Sequence, residues 1–409
     1  MSARVVIVGG GPVGLALALA VSRLPGLDVT VVERGPAATD ALPAPFDHRV
    51  YALSPASLDL LHELGAVLPP ARVARVRAMQ VYGDDGHSRL DLNSGQPLAA
   101  IVEHGALMLA LQSRLEQDGR AVIRRGLACV EMRSLEGNRR ELTLSDGSRS
   151  KADLLIAADG SRSQIRQWAA ITAAVKDYES DGVVANFRTA MPHADVARQW
   201  FSQEGVLAYL PLPGNHVSIV WSVSKEMSAE LPSNDPEAFC RAVEQAGQSS
   251  LGPLALVSPI ARFPLSRIIA KDWVQPGLAL IGDAAHAVHP LAGQGVNLGF
   301  ADVRHLAAVL HGRSTFSAVG DLAVLRRYER RSREAAWAVG EVTDRLRSLY
   351  LNHAAPVQWL RNEGIDLLNR LPAGKALLVD YATRSQTDRR PRGTKRPTMT
   401  RIKLHSRTA

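Results

Sequence analysis

Residues Gly9-Gly10-Gly11-Pro12-Val13-Gly14 fit the spacing G-x-G-x-x-G. Each glycine has its own duty in that pattern. Gly9 allows a tight turn, Gly11 lets the backbone approach a pyrophosphate, and Gly14 lets a helix pack closely on a strand. A helix opening at Pro12 presents free N–H groups and the positive end of its dipole to the anion. Glu33 stands 19 residues past Gly14 and is followed by Arg34. A carboxylate at that distance can accept hydrogen bonds from both ribose hydroxyls and repels a 2′-phosphate. The chemistry is dinucleotide binding, and the hexapeptide by itself does not choose between FAD and NAD.

Two later stretches share this polar, glycine-rich character. Asp159-Gly160-Ser161-Arg162-Ser163-Gln164-Ile165-Arg166 follows the apolar run DLLIAA. Gly282-Asp283-Ala284-Ala285-His286 is followed by Pro290, Gly293-Gln294-Gly295-Val296-Asn297 and Asp302. Metal chemistry is not expected. His193-Ala194-Asp195 has a His-x-carboxylate spacing but lacks an assigned second histidine. His286 and His289 belong to the glycine-rich stretch itself. No nucleophile-elbow, zincin or P-loop signature is present.

The elements that must position these residues are legible in outline. Residues 4–8 read as a buried strand, 12–24 as a helix and 28–32 as a second strand, a βαβ opening. Residues 79–92 read as a hairpin turning at Gly83–Gly86, 104–117 as a helix, and 141–146 and 153–157 as strands. From about 183 to 274 short alternating strands are broken by proline and glycine, the pattern of an antiparallel sheet inserted into the first domain. From Leu278 the parallel-sheet style returns, and the remainder to about 381 is helical by pattern. The expected fold class is α/β. A Rossmann-type domain comprises 1–76, 97–178 and 275–345, with an inserted antiparallel domain at 77–96 and 179–274. A helical region follows at 346–383.

The bulk composition agrees. The 409 residues are 46% hydrophobic and 22% charged, a globular balance large enough for two domains. Cys129 and Cys240 cannot build a disulfide framework, so the expectation is two inert thiols in a reducing cytoplasm. The apolar run from Val5 to Val21 contains the glycine turn and reads as strand–turn–helix, not as a leader or membrane span. The net charge of +8 resides in residues 384–409, which hold nine Lys/Arg and one Asp. That tail lacks apolar periodicity and reads as disordered. Attraction to an anionic membrane surface is the functional expectation for it, at the periphery of the inner membrane. Nucleic acid is not expected, since neither a fold nor an aromatic platform accompanies the charge.

Taken together, the three glycine-rich segments resemble the flavoprotein aromatic hydroxylases of the para-hydroxybenzoate hydroxylase type. Within that family the chain is most similar to the ubiquinone-biosynthesis hydroxylases. The resemblance runs from residue 4 to about 381, through DHRVYALSP (47–55), IVEHGAL (101–107), GVLAYLPL (205–212), SIVW (218–221), HPLAGQGVNLGFAD (289–302) and VTDRL (342–346). It implies an FAD-dependent monooxygenase that hydroxylates a polyprenylated phenol through a flavin C4a-hydroperoxide, with O2 as co-substrate and NAD(P)H as a transient reductant. A ubiquinone-biosynthesis assembly is the implied partner. Cofactor contacts are implied at Gly9, Gly11, Gly14, Glu33, Arg34, Arg49, Asp159, Arg166, Gly282, Asp283, Gly295, Val296 and Asn297. The catalytic segment is implied at Pro290, Gly293, Gln294 and Gly295, where backbone N–H groups at a helix start would stabilise the reduced, anionic flavin. Tyr209, Pro211 and Trp221, with Pro290, are the expected lining of a dry substrate pocket. A monooxygenase for another phenol, a halogenase, a polyprenyl reductase and a non-catalytic flavin-binding subunit are the alternatives. A W-x-W-x-I-P halogenase motif is absent.

Overall fold

The computed structural model describes residues 2–37, 42, 44, 46–85, 87–202, 204–288 and 294–350, with 363, 369 and 371. Of the expected helical region at 346–383, residues 346–350 belong to helix Leu322–Tyr350, and the rest apart from 363, 369 and 371 lies outside the described residues, as does the basic tail. So do Pro290 and Gly293 of the expected catalytic segment.

A six-stranded sheet forms the first layer. Its spatial order is Val274–Gln275, Leu278–Leu280, Leu154–Ala157, Ala3–Val8, Leu27–Glu33 and Ala121–Arg125. All neighbours are parallel except the first pair, which is antiparallel. The central strands are near-continuous apolar runs because both faces are covered; Val5, Ile7, Leu154, Leu155 and Ile156 are all fully buried. Helix Pro12–Val21 (PVGLALALAV) is apolar all round and packs between the sheet and helix Gln294–His311. Pro12 sits in its first turn, where the missing N–H costs nothing, and Gly11 caps it.

The second layer is a largely antiparallel sheet. Its main path is His286–Ala287, Ala261–Ala270, Ala173–Thr189, His216–Ser224, Gly205–Leu212, Val196–Ser202, Ala78–Tyr82 and Arg89–Asn93. Strand Ala173–Thr189 runs straight through the expected domain boundary at 178/179. Its register with Ala261–Ala270 breaks between Asp177 and Asp181, and Glu179 has a positive φ of 49°. A bulge lets one strand serve both ends of the sheet, and it is invisible as a composition change.

The two faces of this sheet have different partners. Phe187, Leu207, Tyr209, Trp221 and Val223 pack on one side against Phe239 and Val243 of helix Pro236–Ala246. Asp235 caps that helix by accepting from the Ala238 N–H at 3.0 Å. On the other side Ala197, Leu210 and Leu212 meet Phe46, Val50, Ala52 and Ile101 of the dinucleotide domain. Among the described residues no helix is long and apolar enough to cross a membrane. Cys129 and Cys240 are free and buried. Burial, with the Asp159 charge adding to it, pushes the Cys129 thiol up to about 12, so it is inert at neutral pH.

Candidate active site

The first glycine turn is built as its spacing requires. Gly9 has φ +106°, and a Cβ there would stand 2.3 Å from the Ala158 carbonyl oxygen. A Cβ on Gly14 would stand 2.0 Å from the Gly9 carbonyl oxygen. Gly11 differs: among the described residues nothing lies within 4 Å of where its Cβ would be. The helix N-terminus therefore faces open space. Glu33 closes the adjacent side, its carboxylate accepting from the Gly10 N–H and, at 2.7 Å, the Gly35 N–H. Arg34 is exposed beside it.

The second stretch divides its labour in a way the motif did not reveal. Asp159 Oδ2 accepts from the Ile165 N–H at 3.2 Å, while Oδ1 is buried with no partner among the described residues. Arg166 is only 7% exposed. Its guanidinium donates to the Ser161 and Ala284 carbonyls, both at 2.8 Å. The expected role of Arg166 as a cofactor contact is therefore corrected to a brace. It ties the second stretch to the turn that carries Asp283.

Asp283 stands on the turn that follows strand Leu278–Leu280. Surrounding protein pushes its carboxyl above the usual range, and the His286 and Arg49 charges oppose that. Yet the residue is exposed. Water reaches the exposed Asp283 side chain, so accessibility limits how far burial can act. A Cβ on Gly295 would lie 3.9 Å from Asp283 Oδ1, so the start of helix Gln294–His311 meets the carboxylate. Arg49 is exposed, with its guanidinium 5.5 Å from the centre of the Tyr51 ring.

Beside this turn lies a buried pair whose contacts the sequence did not disclose. Asp302 Oδ2 accepts from the Gly282 N–H at 2.8 Å and lies 2.7 Å from His286 Nε2. Burial alone would lower His286, but the Asp302 charge and hydrogen bond more than offset it, so its pKa is raised.

The side chains of several expected site residues are engaged within the fold, which leaves the backbone N–H groups of the helix start as the expected flavin contacts there. The Asn297 side chain is held by neighbouring segments. Its Oδ1 accepts from the Ser54 N–H (2.9 Å) and Ser57 hydroxyl (2.7 Å), and its Nδ2 donates to the Ala52 carbonyl (2.8 Å). Val296 is 8% exposed and belongs to the core. Tyr209 and Trp221 are 1% and 2% exposed, and the Tyr209 hydroxyl donates to the Val243 carbonyl at 2.8 Å. They lie on the helix-covered face of the second sheet, and Pro211, two residues past Tyr209, shares that face. The expected pocket lining is corrected accordingly: the face toward the dinucleotide domain carries Leu210, Leu212, Asn186 and Ser218. His193 is spent on the turn after strand Gly205–Leu212, with Nε2 2.9 Å from the Leu212 carbonyl and 2.7 Å from the Gly214 carbonyl.

Tyr51 and His104 form a pair beside Arg49, with the hydroxyl 2.9 Å from Nδ1. Burial, then the Arg49 charge, holds His104 down at about 4, and burial pushes Tyr51 up to about 12. The imidazole is thus neutral at pH 7. The unfolded chain takes up this proton near 6.5 and the folded one only near 4. The contribution is therefore present above 6.5 and is lost as pH falls toward 4. His104→Gln should flatten that part of the stability curve. Urea midpoints of both proteins at pH 7, 5.5 and 4.5 check it, and parallel curves would count against the burial of a neutral histidine.

The open helix N-terminus, the orphaned Asp159 Oδ1 and the accessible Asp283 carboxylate fit a dinucleotide of the FAD type. The sequence pattern of the FAD binding domain family matches residues 2–343. The chain belongs to that family. It is similar to the 3-demethoxyubiquinol 3-hydroxylase of Escherichia coli K12, 34% identical over 393 residues, covering 93% of this chain and 98% of that protein. It is 34% identical over 392 residues to the ubiquinone hydroxylase UbiL of Rhodospirillum rubrum, covering 93% and 89%. Among solved structures, p-nitrophenol 4-monooxygenase PnpA of Pseudomonas putida DLL-E4 superposes with a TM-score of 0.76 at 19% identity, covering 96% of this chain and 99% of that one. This last likeness concerns the fold. As a member of the FAD binding domain family with hydroxylase relatives, the chain is an enzyme, an FAD-dependent hydroxylase.

Proposed function

We propose that this hydroxylase acts on the aromatic ring of a polyprenylated phenol in ubiquinone biosynthesis, of the 2-polyprenyl-6-methoxyphenol class, with NAD(P)H as a transient reductant. The observation that carries the reading is the similarity to 3-demethoxyubiquinol 3-hydroxylase over nearly the whole of both chains. FAD supplies, when bound and reduced, the two electrons that activate O2 for insertion of one oxygen atom into the ring. The chain's own residues bind and shield. The helix start at Gly11 would take the pyrophosphate, Glu33 the adenosine ribose and Asp283 the ribityl hydroxyls. The Gly295 region, at a helix N-terminus, would favour negative charge on the flavin. The apolar face around Leu210 and Leu212 keeps water from the ring. A second dinucleotide fingerprint is absent from the sequence, which supports a nicotinamide that visits and leaves. The basic residues of 384–409 are proposed to meet an anionic membrane surface, where a prenylated substrate resides, and a biosynthetic assembly there is the proposed partner.

Asp283→Ala should weaken FAD retention on the order of 100-fold, the loss of two hydrogen bonds to a charged group. Flavin content after desalting checks this, and an unchanged content would remove Asp283 from the ribityl role. The function itself is tested by anaerobic reduction with NADH or NADPH, then O2 and a short-chain prenylphenol. Hydroxylated product is expected. Reduction that yields only hydrogen peroxide with every phenol offered would refute the substrate class.

A further inference from the structure

The face of the second sheet that meets the dinucleotide domain carries two polar side-chain atoms without a partner among the described residues. Asn186 and Ser218 are both 0% exposed. They are direct cross-strand partners, and Ser218 also pairs with Leu210. Ser218 Oγ and Asn186 Oδ1 are buried with no hydrogen-bond partner among the described residues. The other end of the Asn186 amide is committed: Nδ2 donates to the Phe46 carbonyl at 3.3 Å and the Asp47 carbonyl at 2.8 Å. That backbone runs directly into Arg49, and the Asp47 carboxylate accepts from the Arg49 N–H at 3.0 Å. His216, two residues before Ser218 on the same face, packs edge-on against Phe46 at 5.2 Å. The orphan atoms therefore sit beneath the loop that carries Arg49 toward Asp283.

Buried polar groups almost always find partners, and those that do not mark a ligand, a bound water or a function maintained at the expense of stability. Here the two orphans are complementary. Asn186 Oδ1 accepts only, whereas Ser218 Oγ both donates and accepts. We propose that Ser218 and Asn186 form a polar subsite for an oxygen substituent of the substrate ring, the amide oxygen accepting from a phenolic hydroxyl and the serine donating to a hydroxyl or methoxy oxygen. This rests on the phenol-hydroxylase reading above and adds to it the contacts that orient the ring. The surrounding Leu210 and Phe46 supply apolar contact, so the two polar atoms set which edge of the ring faces the sheet.

Ser218→Ala separates this role from a structural one, because an unpaired buried hydroxyl destabilises the fold that holds it. Three quantities are read on the flavin-loaded protein: flavin content, the thermal midpoint without phenol, and calorimetric Kd for short-chain prenylphenols with and without the ring oxygen. Flavin content should not change. The midpoint should stay or rise. The Kd should weaken about fivefold, the loss of one neutral hydrogen bond. Wild type should discriminate against the analogue lacking the oxygen by a similar factor, and the variant should not. A lower midpoint with unchanged Kd would place the hydroxyl inside the fold's own bonding and overturn the subsite. A higher midpoint with unchanged Kd would do the same, leaving an orphan that only water visits. A wild-type protein that binds none of the phenols fails the parent reading and the subsite with it, whereas wild-type binding retained in full by the variant fails the subsite alone.

Discussion

Asp302→Ala should cost about 3–5 kcal/mol of stability, the usual penalty for removing one member of a buried ion pair. Asp302 is 2% exposed and His286 1%. The lost carboxylate leaves an imidazolium without its counter-ion and the Gly282 N–H without its acceptor. The histidine then shifts to its neutral form, which limits the loss but does not restore the hydrogen bonds. Asp302→Asn tells charge from hydrogen bonding, since an amide oxygen can still accept from Gly282 N–H. Urea unfolding of the three proteins is the measurement. A loss below about 1 kcal/mol for the alanine variant would mean that His286 is not charged in the native protein. The pH dependence has a definite sign. His286 is raised in the fold, so its contribution is complete below the ordinary histidine range and is lost as pH rises through the elevated folded value. That is opposite to His104, and Asp302→Asn should remove the alkaline component alone.

Gly14→Ala should give a protein that retains no FAD and is destabilised by about 3 kcal/mol. The added methyl would stand 2.0 Å from the Gly9 carbonyl oxygen. That atom is backbone, so nothing flexible can move aside, and the phosphate turn itself must shift. Gly11→Ala is the informative contrast. Its methyl would meet nothing within 4 Å among the described residues. Folding stability without cofactor should be unchanged within about 0.5 kcal/mol, while FAD affinity should fall at least about tenfold because the methyl enters the cofactor's space. Denaturation of the apoproteins and flavin titration together read both effects. A Gly11→Ala protein with full flavin content would show that the open space beside the helix start is not the pyrophosphate site.

What the sequence disclosed were features whose meaning is local. The G-x-G-x-x-G turn, Glu33 at the end of its strand and Asp283 after an apolar strand each state their geometry within a few residues. What it concealed depended on contacts between distant segments. Asn297 looks like part of a cofactor turn, yet its side chain staples Ser54 and Ser57, some 240 positions earlier. Arg166 looks like a charged contact and is a brace to Ala284. The error over Tyr209 and Trp221 has a simpler cause. Alternation along a strand separates two faces but does not say which one meets the cofactor domain. Both faces here are buried, so hydrophobicity could not break the tie, and the large aromatics proved to be on the side of helix Pro236–Ala246. Asn186 and Ser218 gave no signal, since a small polar residue in a strand normally means an exposed edge.

The order of strands in the dinucleotide sheet has a consequence for how the molecule is made. Ala3–Val8 pairs with Leu154–Ala157, which pairs with Leu278–Leu280. The nascent chain therefore emerges with its first βαβ unit complete but Ala3–Val8 open on one side until residue 157, and Leu154–Ala157 then stays open on one side until residue 280. Contact order is high, and such topologies fold slowly. Until residue 280 is available, an apolar parallel edge remains unpaired and prone to association, the situation in which chaperones are needed during synthesis. The cofactor site cannot act as an early nucleus either, because Asp283 and the Gly295 helix start follow Gly9–Gly14 by some 270 residues. Flavin can find its full set of contacts only after residue 295 has been made, which makes its uptake a check on the assembled sheet rather than an aid to the growing one.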